Sequence, residues 1–460
     1  MRPGVAAGHP VTAQAGAQAL QAGGTAADAA VAMILTSCAA ETIFTGLSGG
    51  GFAIYHEAAT ATTTCVDFFV GVPGLGGRTP GPGTPIEVIF VGQALPYDIG
   101  PPTVAVPGLP AGAHHLWRRW GRLPWADLVA PGLAASYGTP FPAAHAAVLA
   151  NVEQAMVVGE GTQVYAHPDG RLLAAGETLR HPDHHRAFEL LAADPDAFYR
   201  GAFAEAMVAA VADGGALDAT DLAAYEVVER PPQVVRCGPG TVAARGDDLD
   251  GLLGTLHRAA ELVTGDPTTD PHAALGLVSA LRAPDRRAET TNLVAVDPAG
   301  NICGATTSLG LGSGVWVPGY GVHLNSMMGE GELLRGHVRP GERMGSMMSP
   351  LIVRDAADDP LLVAGAAGGS RIRPALVQTV LRVLGGQAPQ EAIDAPRLNA
   401  LPHLVRLEPG FAEEVIAALA AAGNEVVIAP HRASYFGGVS AFGVSGGGAD
   451  PRRGGTVIEL

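Results

Sequence analysis

A strand–turn–strand pattern at residues 290–308 constrains the fold more than any other feature of this chain. Residues 290–296 are β-branched and apolar, residues 297–301 read Asp-Pro-Ala-Gly-Asn, and residues 302–308 are again small and β-branched. Two runs of this kind around a short Pro/Gly turn are typical of a β-hairpin. The sequence therefore predicts a hairpin with Thr290 at its open end.

The segment directly before this hairpin favours a chemical role for Thr290. Residues 283–289 are polar and charged, which is typical of a surface loop that can be severed without breaking a core element. A threonine freed by a cut between Glu289 and Thr290 carries its own α-amine, whose reference pKa near 8 suits a general base. Paired threonines at a strand start are more often simple strand formers, and that alternative stays open on this pattern alone.

The rest of the chain predicts alternating helices and strands. Helical patterns occupy residues 26–40, with Thr25 as the N-cap, and residues 111–117, 125–137, 188–193 and 202–212. Residues 52–55 and 62–69 read as strands, residues 72–85 as irregular chain, and Thr220 as the start of a capped helical turn. The chain thus belongs to the mixed α/β (α+β) class.

Several short motifs follow one another in a recognisable order. They are residues 23–30 (GGTAADAA), 46–52 (GLSGGGF), 290–301 (TTNLVAVDPAGN), 312–314 (GSG), 321–326 (GVHLNS), 348–350 (MSP) and 368–372 (GGSRI). In these motifs the chain resembles the gamma-glutamyltranspeptidase family. The resemblance implies a four-layer αββα sandwich of the N-terminal-nucleophile hydrolases and self-cleavage before Thr290. It also implies a large segment, 1–289, and a small segment, 290–460, intertwined in one core.

The resemblance implies a role for each matching catalytic position. Gly368 and Gly369 would present backbone N–H groups to a developing oxyanion, and glycines suit this because they leave the approach open. Ser308 would support the nucleophile and assist the self-cleavage. The alternative for Ser308 is an ordinary strand serine.

The substrate-binding candidates that the resemblance implies are Phe69, Asn325, Met327, Glu330, Ser346, Arg371 and Arg373. Phe69 stands where the family has a carboxylate-binding arginine, and Met327 replaces a glutamine. Glu330 keeps the charge of an amine-binding aspartate, and Ser346 keeps the first of two serines. Arg371 or Arg373 would supply a replacement clamp or serve as a structural ion-pair partner. A less polar pocket is expected, which argues against ordinary γ-glutamyl transfer.

Two reactions fit these residues. One is hydrolysis or transfer at an amide of a small amino-acid-derived substrate. The other, on resemblance to actinobacterial relatives in alkylproline (lincomycin and pyrrolobenzodiazepine) biosynthesis, is hydrolytic C–C bond cleavage, since a ketone also needs a nucleophile and an oxyanion hole. A Ser48 nucleophile elbow in 46–50 and an uncleaved, inactive binding homologue are further alternatives, although a strand rather than a helix follows Ser48.

The composition of the chain argues against several classes of partner and ligand. The net charge is −16 and the chain has no lysine, which disfavours nucleic acid. The four cysteines form no CxxC pair, and residues 181–185 (HPDHH) have no matching ligand cluster, so we expect no metal, no cofactor and a solvated helix start there. The first residues lack a secretory apolar run, and we expect a cytoplasmic protein without membrane contact. Whether the chain forms a homo-oligomer stays an open question.

Overall fold

The computed structural model describes residues 1–90, 93–283, 289–331, 333–334 and 338–460. The predicted segment before Thr290 therefore lies largely outside the described residues. In chain order the strands are β1 (Gly4–Ala7), β2 (Gly50–Glu57), β3 (Thr62–Phe68), β4 (Thr84–Phe90), β5 (Gln93–Ile99), β6 (Thr139–Pro140), β7 (Thr178–Leu179), β8 (Val228–Arg230), β9 (Gln233–Cys237), β10 (Gly240–Ala244), β11 (Thr291–Val296), β12 (Ile302–Ser308), β13 (Trp316–Val317), β14 (Val322–His323), β15 (Leu351–Arg354), β16 (Pro360–Ala367), β17 (Leu398–Ala400), β18 (Leu404–Leu407), β19 (Glu425–Ile428), β20 (Gly438–Gly443), β21 (Gly446–Ala449) and β22 (Thr456–Glu459).

Two large antiparallel sheets form the centre. The first has the order β22-β1-β11-β12-β2-β3-β8, and the second has the order β21-β20-β16-β15-β10-β9. The predicted hairpin is present as β11 and β12, which pair from Thr291↔Thr307 to Val296↔Ile302. Thr290 and Ser308 therefore lie together at the open end of the hairpin, in the middle of the first sheet.

Successive side chains of these strands point to opposite faces of each sheet, and this alternation produces the layers of the fold. Val294 and Ile54 from the first sheet meet Ile352, Val363 and Phe442 from the second in an apolar layer between the sheets. Residues one position away along the same strands, such as Leu293 and Ala295, point to the opposite face and pack under helices. A strand with both faces covered is buried throughout, as β11 is.

Helices cover both outer faces. They are α1 (Pro10–Gln21), α2 (Ala26–Ala40), α3 (Leu109–Trp120), α4 (Trp125–Ser136), α5 (Ala143–Met156), α6 (Gly161–Tyr165), α7 (His184–Ala193), α8 (Gly201–Ala210), α9 (Ala219–Ala223), α10 (Leu252–Leu262), α11 (Pro271–Leu281), α12 (Ile372–Leu384), α13 (Pro389–Asp394) and α14 (Glu413–Ala421). The wholly buried α2 packs on the first sheet, and α10 and α12 pack on the second. This is the predicted αββα arrangement.

The chain segments on either side of Thr290 share both sheets. Segment 1–289 contributes β1, β2, β3 and β8 to the first sheet and β9 and β10 to the second. Segment 290–460 contributes the remaining strands of each. Neither of the two large sheets is therefore built by one segment alone. Among the described residues, no helix is long and apolar enough to cross a membrane.

Candidate active site

Thr290 lies where the start of a strand in the first sheet comes close to the end of a strand in the second sheet. It precedes β11 of the first sheet and is 1% exposed. The backbone N–H of Gly368, which directly follows β16 of the second sheet, donates a hydrogen bond to Thr290 Oγ1 at 2.8 Å. Gly368 and Gly369 have φ values of +117° and +60°, so the bend that presents this N–H favours glycine.

The peptide bond before Thr290 is held from the other side by Ser308. The Ser308 hydroxyl donates a hydrogen bond to the carbonyl oxygen of Glu289 and accepts one from the N–H of Gly310 at 3.0 Å. A donor on a carbonyl oxygen polarises it toward nucleophilic attack. The peptide bond between Glu289 and Thr290 thus has a carbonyl polarised by Ser308. Beside it lies the Thr290 hydroxyl, which Gly368 holds in place.

The structure brings most of the predicted substrate-binding residues around Thr290. A small pocket on one side of the threonine is lined by Phe69, Thr290, Ser308, Met327, Glu330, Leu333, Ser346, Met347, Met348, Gly369 and Ile372. Most of these side chains are apolar, as expected from the replaced glutamine and serine. The roles of these residues in binding stay predictions.

Glu330 is the only carboxylate among the residues that line this pocket, and it is buried. Tyr97 donates its hydroxyl to Glu330 Oε1 at 3.1 Å and shares a 2.6 Å hydrogen bond with Ser326 Oγ. Burial, followed by the nearby Glu330 charge, raises the pKa of Tyr97 well above its usual value. Tyr97 therefore stays a neutral donor that orients the carboxylate.

Three predicted substrate contacts lie elsewhere. The amide of Asn325 bonds backbone groups of Ser48 and Ala105, so it joins loops rather than facing the pocket. Arg373 donates to the carbonyl oxygens of Asp250 and Leu281. The guanidinium of Arg371 lies 5.5 Å from the Tyr435 ring centre. The proposed replacement clamp at Arg371 or Arg373 is not built into this pocket.

The structure also bears on the Ser48 alternative, and it corrects the expectation for residues 181–185. Ser48 donates its hydroxyl to the carbonyl oxygen of His323 at 2.6 Å and is followed by β2, so it holds a turn together rather than forming an elbow. The predicted solvated helix start at 181–185 is wrong for His181 and His184, which are buried against each other. Burial lowers the pKa of His181 to about 4. The described residues contain no metal-binding cluster of His, Cys, Asp and Glu.

Sequence reasoning missed Glu41, a buried carboxylate that lines a second small cavity beside Thr290. Its oxygens accept hydrogen bonds from Thr12 at 2.7 Å and from Thr291 at 2.5 Å. Burial raises the pKa of Glu41 to about 7, against the opposing effect of these bonds and of Arg453. A lone glutamate directly after the apolar helix α2 was the signal that could have found it.

Sequence reasoning also missed an ion pair at the predicted cut site. Glu289 was expected on a surface loop, but it is 1% exposed and pairs with Arg453 at 2.8 Å. The two residues are 164 positions apart, and no local pattern links them. The predicted surface character is thus wrong for Glu289, because the buried arginine fixes its side chain inside.

Comparisons with known proteins agree with this geometry. The family model described as Gamma-glutamyltranspeptidase matches residues 12–253 and 254–460. A glutathione hydrolase proenzyme of Bacillus subtilis (strain 168) is 26% identical, across 93% of this chain and 85% of that protein. Acylase ACY 1 proenzyme of Pseudomonas sp. (strain SE83) is 27% identical, across 99% of this chain and 93% of that protein.

Solved structures show the same fold. Cephalosporin acylase from Bacillus halodurans superposes with a TM-score of 0.80 at 24% identity, covering 100% of this chain and 96% of that one. A structure of LmbA2991T421A gives a TM-score of 0.80 at 21% identity, covering 100% of this chain and 98% of that one. The four-layer architecture therefore extends over the whole chain.

Proposed function

Because the chain belongs to the gamma-glutamyltranspeptidase family of N-terminal-nucleophile hydrolases, we propose that it activates itself by cutting between Glu289 and Thr290. The observation that carries this proposal is the pair of hydrogen bonds around one peptide bond. Ser308 donates to the Glu289 carbonyl, and Gly368 donates to the Thr290 hydroxyl. The expected products are segments 1–289 and 290–460.

The cut proceeds through an ester. Thr290 Oγ1 attacks the carbonyl carbon of Glu289, a C–O bond forms, and the C–N bond to the Thr290 nitrogen breaks while that nitrogen takes up a proton. Water then hydrolyses the ester. Glu289 ends as a free carboxylate, and Thr290 ends with a hydroxyl and an α-amine on one residue.

In the mature protein the same hydroxyl attacks the substrate carbonyl. The α-amine of Thr290 accepts the hydroxyl proton and passes it to the leaving amine, a role for which its reference pKa near 8 is suited. The N–H groups of Gly368 and Gly369 stabilise the oxyanion. The resulting ester is resolved by water in hydrolysis or by an acceptor amine in transfer.

We propose an amide, or a related acyl bond, of a small amino-acid-derived molecule as the substrate. The pocket beside Thr290 combines one carboxylate, Glu330, and two serines, Ser308 and Ser346, with Phe69 and methionines. A carboxylate suits an amine group, and the apolar remainder suits a hydrocarbon portion. Relatives named glutathione hydrolase and acylase proenzymes support amide chemistry. We propose that this chemistry takes place in the cytoplasm.

Hydrolytic C–C cleavage is the second candidate. The apolar lining of the pocket favours it, since Phe69 and Met327 occupy positions at which a polar glutamyl group would be gripped. A ketone attacked by Thr290 would use the same oxyanion hole, with a carbon rather than a nitrogen leaving group. An activated ketone offered beside an acyl anilide separates the two candidates by which of them is consumed.

Intact mass under denaturing conditions tests the self-cleavage. Wild type is expected as two fragments that meet at Glu289 and Thr290, while Thr290→Ala stays whole and Ser308→Ala is cut more slowly. Ser48→Ala is the matched control, because its hydroxyl bonds a turn and it is expected to be cut. A Thr290→Ala variant that is cut at the same bond would exclude Thr290 as the nucleophile.

A further inference from the structure

A cavity of about 370 Å³ opens among the helices that pack on the second sheet. Residues 263–267, in the loop between α10 and α11, line one wall together with Leu277 of α11. Residues of α12 and of the turn after it, between 378 and 387, line the other wall. None of these described residues lines either small cavity beside Thr290. This α12 cavity is therefore separate from the candidate active site, and its size suits a small molecule.

Arg382 contributes to the α12 cavity a cation that has no ion-pair partner among the described residues. It is 8% exposed, and in this part of the chain the only hydrogen bond of its guanidinium runs from Nη2 to the carbonyl oxygen of Pro396 at 2.6 Å. Nη1 has no acceptor within the described ranges. The nearby Arg397, by contrast, pairs with Asp450 at 2.7 Å. Arg382 thus keeps unused donors.

The charge of Arg382 favours an anion in the cavity. Burial, followed by the nearby charge of Arg397, lowers the pKa of Arg382 to about 10, so the guanidinium is still a cation at neutral pH. A buried cation is unfavourable unless an anion or several acceptors compensate it. The planar fork of a guanidinium matches the two oxygens of a carboxylate. A carboxylate is therefore the group that we expect at Arg382.

Asp266 places a negative charge on the opposite wall. Its Oδ1 accepts hydrogen bonds from the N–H and the hydroxyl of Thr268 at 2.9 and 2.8 Å, while Oδ2 accepts none from the described residues. The Asp266 charge raises the pKa of Arg382, an effect smaller than that of burial, although no direct hydrogen bond joins the two side chains in the described chain. A ligand with a carboxylate and an ammonium group would fit between two such charges.

Aliphatic side chains complete both walls. Leu277 is fully buried, and Val263 and Leu381 are half-buried beside the opening. Covering these side chains with a hydrocarbon group is favourable because it removes apolar surface from water. The cavity thus combines a cation, an anion and an apolar surface.

We propose that the α12 cavity binds a free amino acid with an aliphatic side chain. Its carboxylate pairs with Arg382, its ammonium group pairs with Asp266, and its side chain covers Leu277 and Leu381. This site goes beyond the proposed function, because it neither contacts Thr290 nor takes part in the cut.

The position of the site gives it two further properties. Ile372, at the start of α12, lines the pocket beside Thr290, and Arg382 lies about 15 Å further along the same helix. The bound amino acid therefore leaves the catalytic pocket open. One wall belongs to segment 1–289 and the other to segment 290–460, so the ligand contacts both expected fragments.

Isothermal titration calorimetry of the full-length protein tests the ligand class with three related probes. L-leucine carries both charged groups, 4-methylpentanoate lacks the ammonium group, and 3-methylbutylamine lacks the carboxylate. Leucine is expected to bind about 10- to 100-fold more tightly than 3-methylbutylamine, because the carboxylate meets a buried charge. It is expected to bind about 2- to 5-fold more tightly than 4-methylpentanoate, since Asp266 is exposed. Tighter binding of inorganic phosphate than of leucine would overturn the amino acid as ligand.

Two variants assign the charged groups. Arg382→Gln is expected to weaken the binding of leucine and 4-methylpentanoate by about 10- to 100-fold and to leave 3-methylbutylamine unchanged. Asp266→Asn keeps an acceptor for Thr268 and is expected to weaken leucine alone, by about 2- to 5-fold. Arg258→Gln is the matched control, because Arg258 is exposed on α10 and does not line the cavity. Unchanged leucine binding in Arg382→Gln would overturn the proposal.

A third variant covers the case in which Arg382→Gln does not fold. Thr264 is exposed at the cavity, so Thr264→Trp fills the space without changing either charge, and it is expected to abolish leucine binding. Glu330→Gln, in the pocket beside Thr290, is expected to bind leucine as wild type does. Loss of binding in Glu330→Gln but not in Thr264→Trp would overturn the proposal, since it would place leucine beside Thr290. The absence of leucine binding to wild type would also overturn it.

Discussion

Gly368 contributes to the site through its backbone alone. Its N–H contacts Thr290 Oγ1, its φ is +117°, and an added Cβ would meet Arg453 Nη2 and Gly437 Cα at 3.2 Å. The conformation and the crowding therefore both depend on the absence of a side chain. One carbon atom added at Gly368 is therefore enough to turn its N–H away from Thr290 Oγ1.

Gly368→Ala is accordingly expected to destabilise the fold by about 1–2 kcal/mol and to slow self-cleavage by about 100-fold, since the N–H is displaced from Thr290. Time-resolved intact mass measures the cleavage. Gly386→Ala is the matched control, because Gly386 also has a positive φ (+96°) but has no atom within 4 Å of an added Cβ. Equal slowing in both variants would assign the effect to general strain.

Glu41 makes stability depend on pH. Its folded pKa of about 7 lies above its ordinary value of 4.5, so the folded state favours the protonated carboxyl. The stabilisation is full below about pH 4.5 and is lost as the pH rises through 7, an effect on the order of 3 kcal/mol. Glu41→Gln removes this titration and keeps one of the two acceptor oxygens, which receive Thr12 and Thr291 in the parent.

In a Thr290→Ala background, which keeps the chain uncut, urea midpoints between pH 4.5 and 8 are expected to shift in favour of Glu41→Gln over its parent as the pH rises. The exposed Glu261 gives the control, because Glu261→Gln leaves a solvated position and no such trend is expected. Parallel pH profiles for parent and Glu41→Gln would show that Glu41 is not buried in its protonated form.

The sequence was informative about this site where the residues are close along the chain or lie in motifs. Thr290 and Ser308 are the two ends of one hairpin, so local pairing alone predicts that they meet. Glu41 and Arg453 instead bond the neighbours of Thr290, Thr291 and Glu289, across 250 and 164 residues of the chain. Such contacts depend on strand order and sheet stacking, which no local pattern encodes.

Among the elements, α2 shows how a local signal fixes a boundary. Thr25 accepts from the N–H of Asp28, and Asp28 accepts in return from the N–H of Thr25, which is a capping box. Asp28 also accepts the N–H of Arg122 at 2.9 Å and so joins α2 to the loop after α3. The predicted cap at Thr25 is confirmed.

Asp28→Ala is expected to lower the free energy of unfolding by about 2–3 kcal/mol, because it leaves the N–H of buried Thr25 and the N–H of Arg122 without this acceptor. Asp127→Ala is the matched control: Asp127 also lies in a first helical turn, that of α4, but is exposed. Chemical denaturation of both variants in the uncut background measures the difference. Similar small losses in the free energy of unfolding of the two variants would show that Asp28 acts only through its charge at the helix N-terminus.

Element boundaries were predicted less well where two cap residues compete. The helical turn expected to begin at Thr220 is α9, and its N-cap is Asp218, whose carboxylate accepts from the N–H of Thr220 and Asp221. Both residue types cap helices, so the sequence pattern alone favours neither. The middle helices α3, α4, α7 and α8 overlap the predicted segments 111–117, 125–137, 188–193 and 202–212.

At the scale of the whole molecule, the two segments form one body. β1 lies between β22 and β11, and β2 pairs with β12, so strands of 1–289 and 290–460 alternate within one sheet. The apolar layers on both faces also contain residues from each segment. Cutting one peptide bond removes none of these contacts.

The matured protein is therefore expected to stay associated and to elute in size-exclusion chromatography at the position of the uncut Thr290→Ala chain of 46.6 kDa, or at the same multiple of it. Denaturing electrophoresis of the same peak should give two fragments. Separate elution of the fragments without denaturant would contradict the interleaved sheet. Unfolding by urea before the column is the positive control for separation.

Thr290 and the Gly368 N–H that contacts it are attached to different sheets, since Thr290 directly precedes β11 and Gly368 directly follows β16. Their separation is therefore set by the thickness of the apolar layer between the sheets, which Val294, Ile352 and Val363 fill. Interior packing of this kind resists compression. Adding or removing a methylene in that layer therefore changes the distance between Thr290 Oγ1 and the N–H of Gly368. The width of the core thus sets a distance within the candidate active site.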